Sequence, residues 1–138
     1  MKNAPQGFHP IPRLSPFNAL VGPLYERRQP GKELSVGLRL EEKHSNSRGI
    51  CHGGVLATLA DLSLGYAMHA RIDGKAAFVT AHLALDYAGA AKAGDWIESV
   101  VEIQRVGSRL AFASCYLVCE ERRIVRASAI FARTDRQE

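Results

Sequence analysis

The residues best placed to do chemistry lie between Asn46 and Ala70, in the stretch NSRGICHGGVLATLADLSLGYAMHA. Polar turn residues lead through His52-Gly53-Gly54 into roughly four turns of apolar helix, with Asp61 near its middle. Arg48 and Arg71 bracket the segment, and between them Asp61 carries the only formal charge. A carboxylate on an apolar helix is costly to bury unless it is hydrogen-bonded or has a task. Paired glycines ahead of a helix let another group approach its unsatisfied N–H donors. The pattern thus combines an oxyanion-type donor at the helix start with a carboxylate about two turns further on. Such a carboxylate serves as nucleophile or general base. Ala57, Thr58 and Gly65 share the face of Asp61, so small side chains surround it.

The elements that must hold these groups follow from the pattern of the chain. Residues 1–13 contain three prolines and little periodicity, and are expected to form a flexible N-terminal arm ahead of a single domain over 14–138. Ser15-Pro16 signals a helix start, with a short helix over 17–21. Strands are expected over 24–28 and 33–42, joined by a Gln29-Pro30-Gly31 turn. In the second, Val36, Leu38 and Leu40 alternate with Ser35, Gly37 and Arg39, which predicts one buried face. After the helix over 53–71 and an Asp73-Gly74 turn, strands follow over 76–87, 95–106, 108–120 and 123–134. The last puts Val125, Ala127, Ala129 and Phe131 on one face, small enough for a sheet to curl closely around something bulky. The expected fold class is α+β: a long central helix wrapped by a curved antiparallel sheet of five to six strands.

Composition bounds the function loosely. Of 138 residues, 46% are hydrophobic and 23% charged, values of an ordinary globular domain. The net charge of +4 suits a small polyanion, but the arginines are scattered with no basic run and interleaved aromatics, so no nucleic-acid partner is expected. Three cysteines without a signal-peptide pattern argue for a reducing, cytoplasmic setting. Residues 50–70 have the length of a membrane span, but Asp61 at the centre would cost about 2.5–3.5 kcal/mol there. A buried core helix explains them better, and no membrane contact is expected. Neither the cysteines nor His9, His44, His69 and His82 show metal-ligand spacing, so no metal is expected. Cys51 adjoins His52, but successive side chains diverge, which disfavours a Cys-His nucleophile.

The order of elements resembles the hotdog fold. The motif Asn46-x-x-Gly49-x-x-His52-Gly53-Gly54, followed by Leu59-Ala60-Asp61, is similar to that of acyl-CoA thioesterases of the phenylacetate-pathway (PaaI-like) type. Residues 79–87, VTAHLALDY, resemble the strand after the helix in that family, and the resemblance spans about residues 35 to 134. It implies catalytic roles for Asp61 as the carboxylate, Gly53 as the N–H that polarises the thioester carbonyl, and His52 as a motif residue near the thioester. It further implies that Asn46 holds the water or leaving thiolate and that Thr80 assists the water. His82 stands where an acidic residue is expected. The resemblance implies a homodimer or homotetramer with sites shared between subunits, acyl-CoA as substrate, and no cofactor.

The chemistry asks for these groups on its own account. Thioester hydrolysis passes through a tetrahedral oxyanion that preorganised N–H donors and a helix dipole stabilise. Gly54 is expected to line the substrate, and CoA phosphates call for basic residues near the mouth. Arg109, beside the Gly107-Ser108 turn, is the expected contact, ahead of Arg105, Arg122 and Arg123. Two other readings use the same scaffold. A non-catalytic acyl-CoA-binding module would keep the cavity without needing Asp61. A dehydratase or hydratase would pair a His with a carboxylate at a double bond.

Overall fold

The computed structural model describes residues 3–134. Its centre is α2 (Gly53–Ile72), and local chemistry fixes both ends. His52 caps the start, its side chain accepting the Gly54 N–H, and Asp73 closes the end in the left-handed region (φ 55°). Leu56, Leu59, Ala60, Leu62, Leu64, Ala67 and Met68 are buried along it.

Around α2 curves one antiparallel sheet of seven strands in the order β1-β2-β3-β5-β6-β7-β4. The strands are β1 (His9–Pro10), β2 (Tyr25–Arg27), β3 (Ser35–Arg39), β4 (Phe78–Tyr87), β5 (Trp96–Val106), β6 (Leu110–Cys119) and β7 (Arg122–Arg133), with α1 (Pro16–Val21) capped by Ser15. The inner face carries Val125, Ala127, Ala129 and Phe131 of β7 and Ala111, Ala113, Cys115 and Leu117 of β6, all buried. Four alanines in this set bring the sheet close to the helix. This is the expected helix wrapped by a curved sheet. No helix among the described residues is long and apolar enough to cross a membrane.

Two expectations change, for one reason. The arm read as flexible is docked over its described part: Phe8 is buried, His9–Pro10 pairs with β2, and the Ile11 N–H donates to Leu24 O at 2.9 Å. That strand is the seventh, where five or six were expected. Residues 1–2 of the arm, like 135–138 of the domain, lie outside the described residues. The second change is β3, where Ser35 and Gly37 are buried along with Val36 and Leu38. The Trp96 ring covers its outer side, edge-on to Phe8 (centroids 5.0 Å apart) and beside Tyr25 (5.6 Å). Aromatic burial outweighs the entropy of a short proline-rich segment. Because a Cβ at residue 37 would lie 2.1 Å from Trp96 Cζ2, Gly37→Ala should push the ring aside. The expected cost is about 1–3 kcal/mol. It would be read as a lower urea midpoint and altered fluorescence of Trp96, the single tryptophan.

Candidate active site

The candidate site lies along the seam between α2 and β4, where a bulge in β4 sets the direction of Thr80. Thr80 pairs with Phe131 and His82 with Ile130, which leaves Ala81 as an extra residue. Below the bulge Leu83 and Leu85 oppose the inward Ala129 and Ala127. Strict alternation would then turn residue 81 inward and Thr80 outward. The extra residue reverses the phase, so Thr80 faces the helix. There Thr80 Oγ1 donates to Asp61 Oδ1 at 2.7 Å.

Asp61 is half-buried and, among the described residues, has no ion-pair partner. Its other carboxylate oxygen has no hydrogen-bond partner among the described residues, and Thr80 Oγ1, having given its proton to Asp61, still has lone pairs to accept one. A water between these two oxygens would find acceptors for both of its protons.

At the helix start the donors divide. The Gly54 N–H donates to His52 Nδ1 at 2.8 Å, so Gly54 offers a ligand space rather than a hydrogen bond. The N–H groups of Val55 and Leu56 both reach His52 O. The Gly53 N–H alone among these four has no acceptor among the described residues, and it sits at the positive end of the helix dipole. Since His52 Nδ1 accepts a hydrogen bond, the neutral ring carries its proton on the exposed Nε2, a second outward donor.

Asn46 is the hub of the preceding loop. Its Oδ1 accepts from the N–H groups of Arg48 (2.8 Å) and Ile50 (3.2 Å), which leaves its amide nitrogen as the group available to a ligand. Tyr87 was not singled out by sequence, yet its hydroxyl donates to Gly53 O at 2.8 Å and ties the far end of β4 to the helix start. The partners are 34 residues apart, so no local pattern could have shown the bond.

Other titratable groups do structural work or stand apart. Burial pushes the Cys51 thiol up to about 11, and its Sγ lies 3.6 Å from His52 O rather than on the ring. A thiolate there is negligible at neutral pH. His44 is buried between the Glu41 N–H and Val21 O. Of the four turn arginines, Arg122 donates to Ala90 O and Arg123 stacks on Tyr116, whereas the exposed Arg105 and Arg109 guanidinium groups have no partner among the described residues. Arg109 O accepts the Arg133 N–H, and Arg133 pairs with Phe78, so this turn lies at the Phe78 end of the sheet.

The Thioesterase superfamily profile matches residues 48–126, which include Gly53, Asp61, Thr80 and Tyr87. PA0474 of Pseudomonas aeruginosa, provisionally named an esterase, is 44% identical over 131 residues, 95% of this chain and 98% of its own. The chain belongs to the thioesterase superfamily. Mouse acyl-coenzyme A thioesterase 13 is 35% identical over 83 residues, 60% of this chain and 59% of its own. Among solved structures, a mutant of the phenylacetic acid degradation protein PaaI of Thermus thermophilus superposes with a TM-score of 0.77 at 23% identity. The match covers 87% of this chain and all of that one. At that identity the likeness concerns the fold, which is the hotdog fold of this superfamily.

Proposed function

We propose that this thioesterase-superfamily protein is a PaaI-like acyl-CoA thioesterase, hydrolysing R–CO–S–CoA to the free acid and CoA without a cofactor. The observation that carries the reading is the Thr80–Asp61 bond, which holds a half-buried carboxylate whose other oxygen has no partner among the described residues. In the general-base form, Asp61 takes a proton from water as the oxygen bonds to the thioester carbon. The Gly53 N–H stabilises the oxyanion, and the His52 Nε2–H is a further donor of the same loop. Collapse of the intermediate breaks the C–S bond, and the proton passes from Asp61 to the thiolate. In the nucleophile form, Asp61 attacks the carbonyl, the C–S bond breaks as CoA leaves as its thiolate, and water then hydrolyses the mixed anhydride to the free acid and Asp61.

Gly53 and Asp61 of one chain lie eight residues apart on a helix, about 12 Å along its axis. One carbonyl cannot meet both. A second chain resolves this, and β4 offers the surface for it: ten residues long, it pairs with β7 on one side and is otherwise an open edge. Two-fold pairing of β4 edges would set Asp61 of each chain against Gly53 of the other. A dimer, or a tetramer of two dimers, is therefore part of this reading, and the mass in solution tests it. We place the protein in the cytoplasm on its three free, buried thiols, which fractionation would check.

Thiol release from a panel of acyl-CoAs tests the function. Release from some members supports hydrolysis and names the acyl class. Binding without release would instead make the protein an acyl-CoA sensor, and loss of an enoyl double bond without thiol would make it a hydratase. The unpartnered Arg109 is the proposed phosphate contact. Arg109→Ala should raise KM for a CoA ester several-fold and leave a pantetheine-truncated ester unchanged. An equal effect on both substrates would remove it from the site.

A further inference from the structure

The first turn of α2 opens with two glycines, the residues least able to hold a backbone in place by themselves. The leading N–H groups of a helix have no intrahelical acceptor, and helices fray from their ends. A donor that is to meet a developing charge must nevertheless keep one direction.

In this chain the turn is fastened from outside. The His52 N–H donates to His44 O at 2.8 Å, and His52 O accepts from Val55 and Leu56. The peptide joining Gly53 to Gly54 is held at both ends, its N–H by His52 Nδ1 and its oxygen by the Tyr87 hydroxyl, each at 2.8 Å. The Tyr87 ring also lies beside Gly53, with Cε1, Cζ and Oη each 3.5 Å from where a Cβ would stand. Tyr87 is set in β4 by its pairing with Val125, and the next N–H, of Ala88, donates to Ile124 O at 2.8 Å. Through this side chain the sheet holds the helix start. Burial does not explain the tyrosine, which is 54% exposed and adds little apolar area to the core.

We propose that Tyr87 is a positioning residue for thioester hydrolysis, which clamps the Gly53–Gly54 peptide and so aims the Gly53 N–H at the oxyanion. The inference rests on the thioesterase reading. Tyr87 acts through the helix start and touches neither the thioester nor the attacking group. Without its hydroxyl the Gly53 N–H is still present but samples more directions. That weakens its bond to the oxyanion of the transition state more than any bond to the neutral carbonyl of bound substrate, so kcat falls and KM does not move.

The test is a double-mutant cycle in thiol release, with Tyr87→Phe made in the wild-type and Gly53→Pro backgrounds and mass in solution measured for each. The ester is whichever of acetyl-, hexanoyl- and phenylacetyl-CoA wild type cleaves fastest. In the wild-type background Tyr87→Phe should lower kcat about three- to tenfold with KM unchanged. In Gly53→Pro, where no N–H is left to aim, the same change should leave kcat within about twofold. Equal falls in both backgrounds would give Tyr87 a role independent of that donor, and a rise in KM alone would make it a substrate contact. Either result overturns the inference. An unchanged kcat in the wild-type background, or a fall that comes with loss of subunit association, would overturn it as well. No release by wild type from any of the three esters would remove the thioesterase reading and this one with it.

Discussion

Asp61→Asn should lower kcat for thiol release from acyl-CoA by roughly 10²–10⁴-fold while KM and the fold stay nearly unchanged. Asparagine has the same shape and keeps an oxygen to accept the Thr80 hydroxyl, so the seam has no reason to collapse. Thr80 is the one hydrogen-bonding partner of the Asp61 side chain among the described residues, and no cation is paired with it. The substitution therefore leaves no buried charge unmatched. Its structural cost is bounded by one part-exposed hydrogen bond, about 0.5–1.5 kcal/mol. What it removes is the base, or the nucleophile, and with it the rate. Parallel thermal melts and steady-state kinetics of wild type and variant make the measurement. Equal rates would show that the carboxylate is a structural anchor for Thr80. A loss matched by unfolding would show that α2 needs the charge.

The central helix was legible because its signals are local. His52-Gly53-Gly54 at one end, Asp73-Gly74 at the other and a largely apolar run between them mark α2 to within one residue. The later strands were legible from alternation alone, as with Val125, Ala127, Ala129 and Phe131. The docked arm was not. Three prolines and scattered hydrophobics in residues 1–13 read as loose, and the burial of Phe8 depends on Trp96, 88 positions away in sequence. The burial of outward-facing Gly37 was hidden for the same reason. Its outer side is covered by a side chain from a strand that follows the helix.

The site shows the same division. Asp61 and Gly53 stood out because a charge on an apolar helix and a glycine pair at its start are anomalies of one segment. The partnership of Asp61 with Thr80 depends on the extra residue at Ala81, and an unmarked alanine in a strand gives no warning of a bulge. The Tyr87 bond to Gly53 O likewise needed the whole sheet to be in place. Sequence supplied the candidate residues, and the fold supplied the strand phase that brings Thr80 onto Asp61.

Gly53→Pro separates the backbone donor from every other contribution of the helix start, and thiol release should fall about 10²–10³-fold. Proline is favoured at the first position of a helix, where its missing N–H would have no intrahelical acceptor. The preceding residue must then be extended, and His52 already is, with φ −62° and ψ 136°. A side chain at residue 53 also fits, since a Cβ there would meet the Tyr87 ring at 3.5 Å, an ordinary contact. The helix should thus form as before, with its dipole and the His52 cap intact, lacking one N–H. Gly53→Ala adds the carbon and keeps the donor, so it should retain most of the activity. If the alanine and proline variants fall together, crowding at the helix start limits the reaction. If only proline falls, the Gly53 N–H is the group that carries the oxyanion.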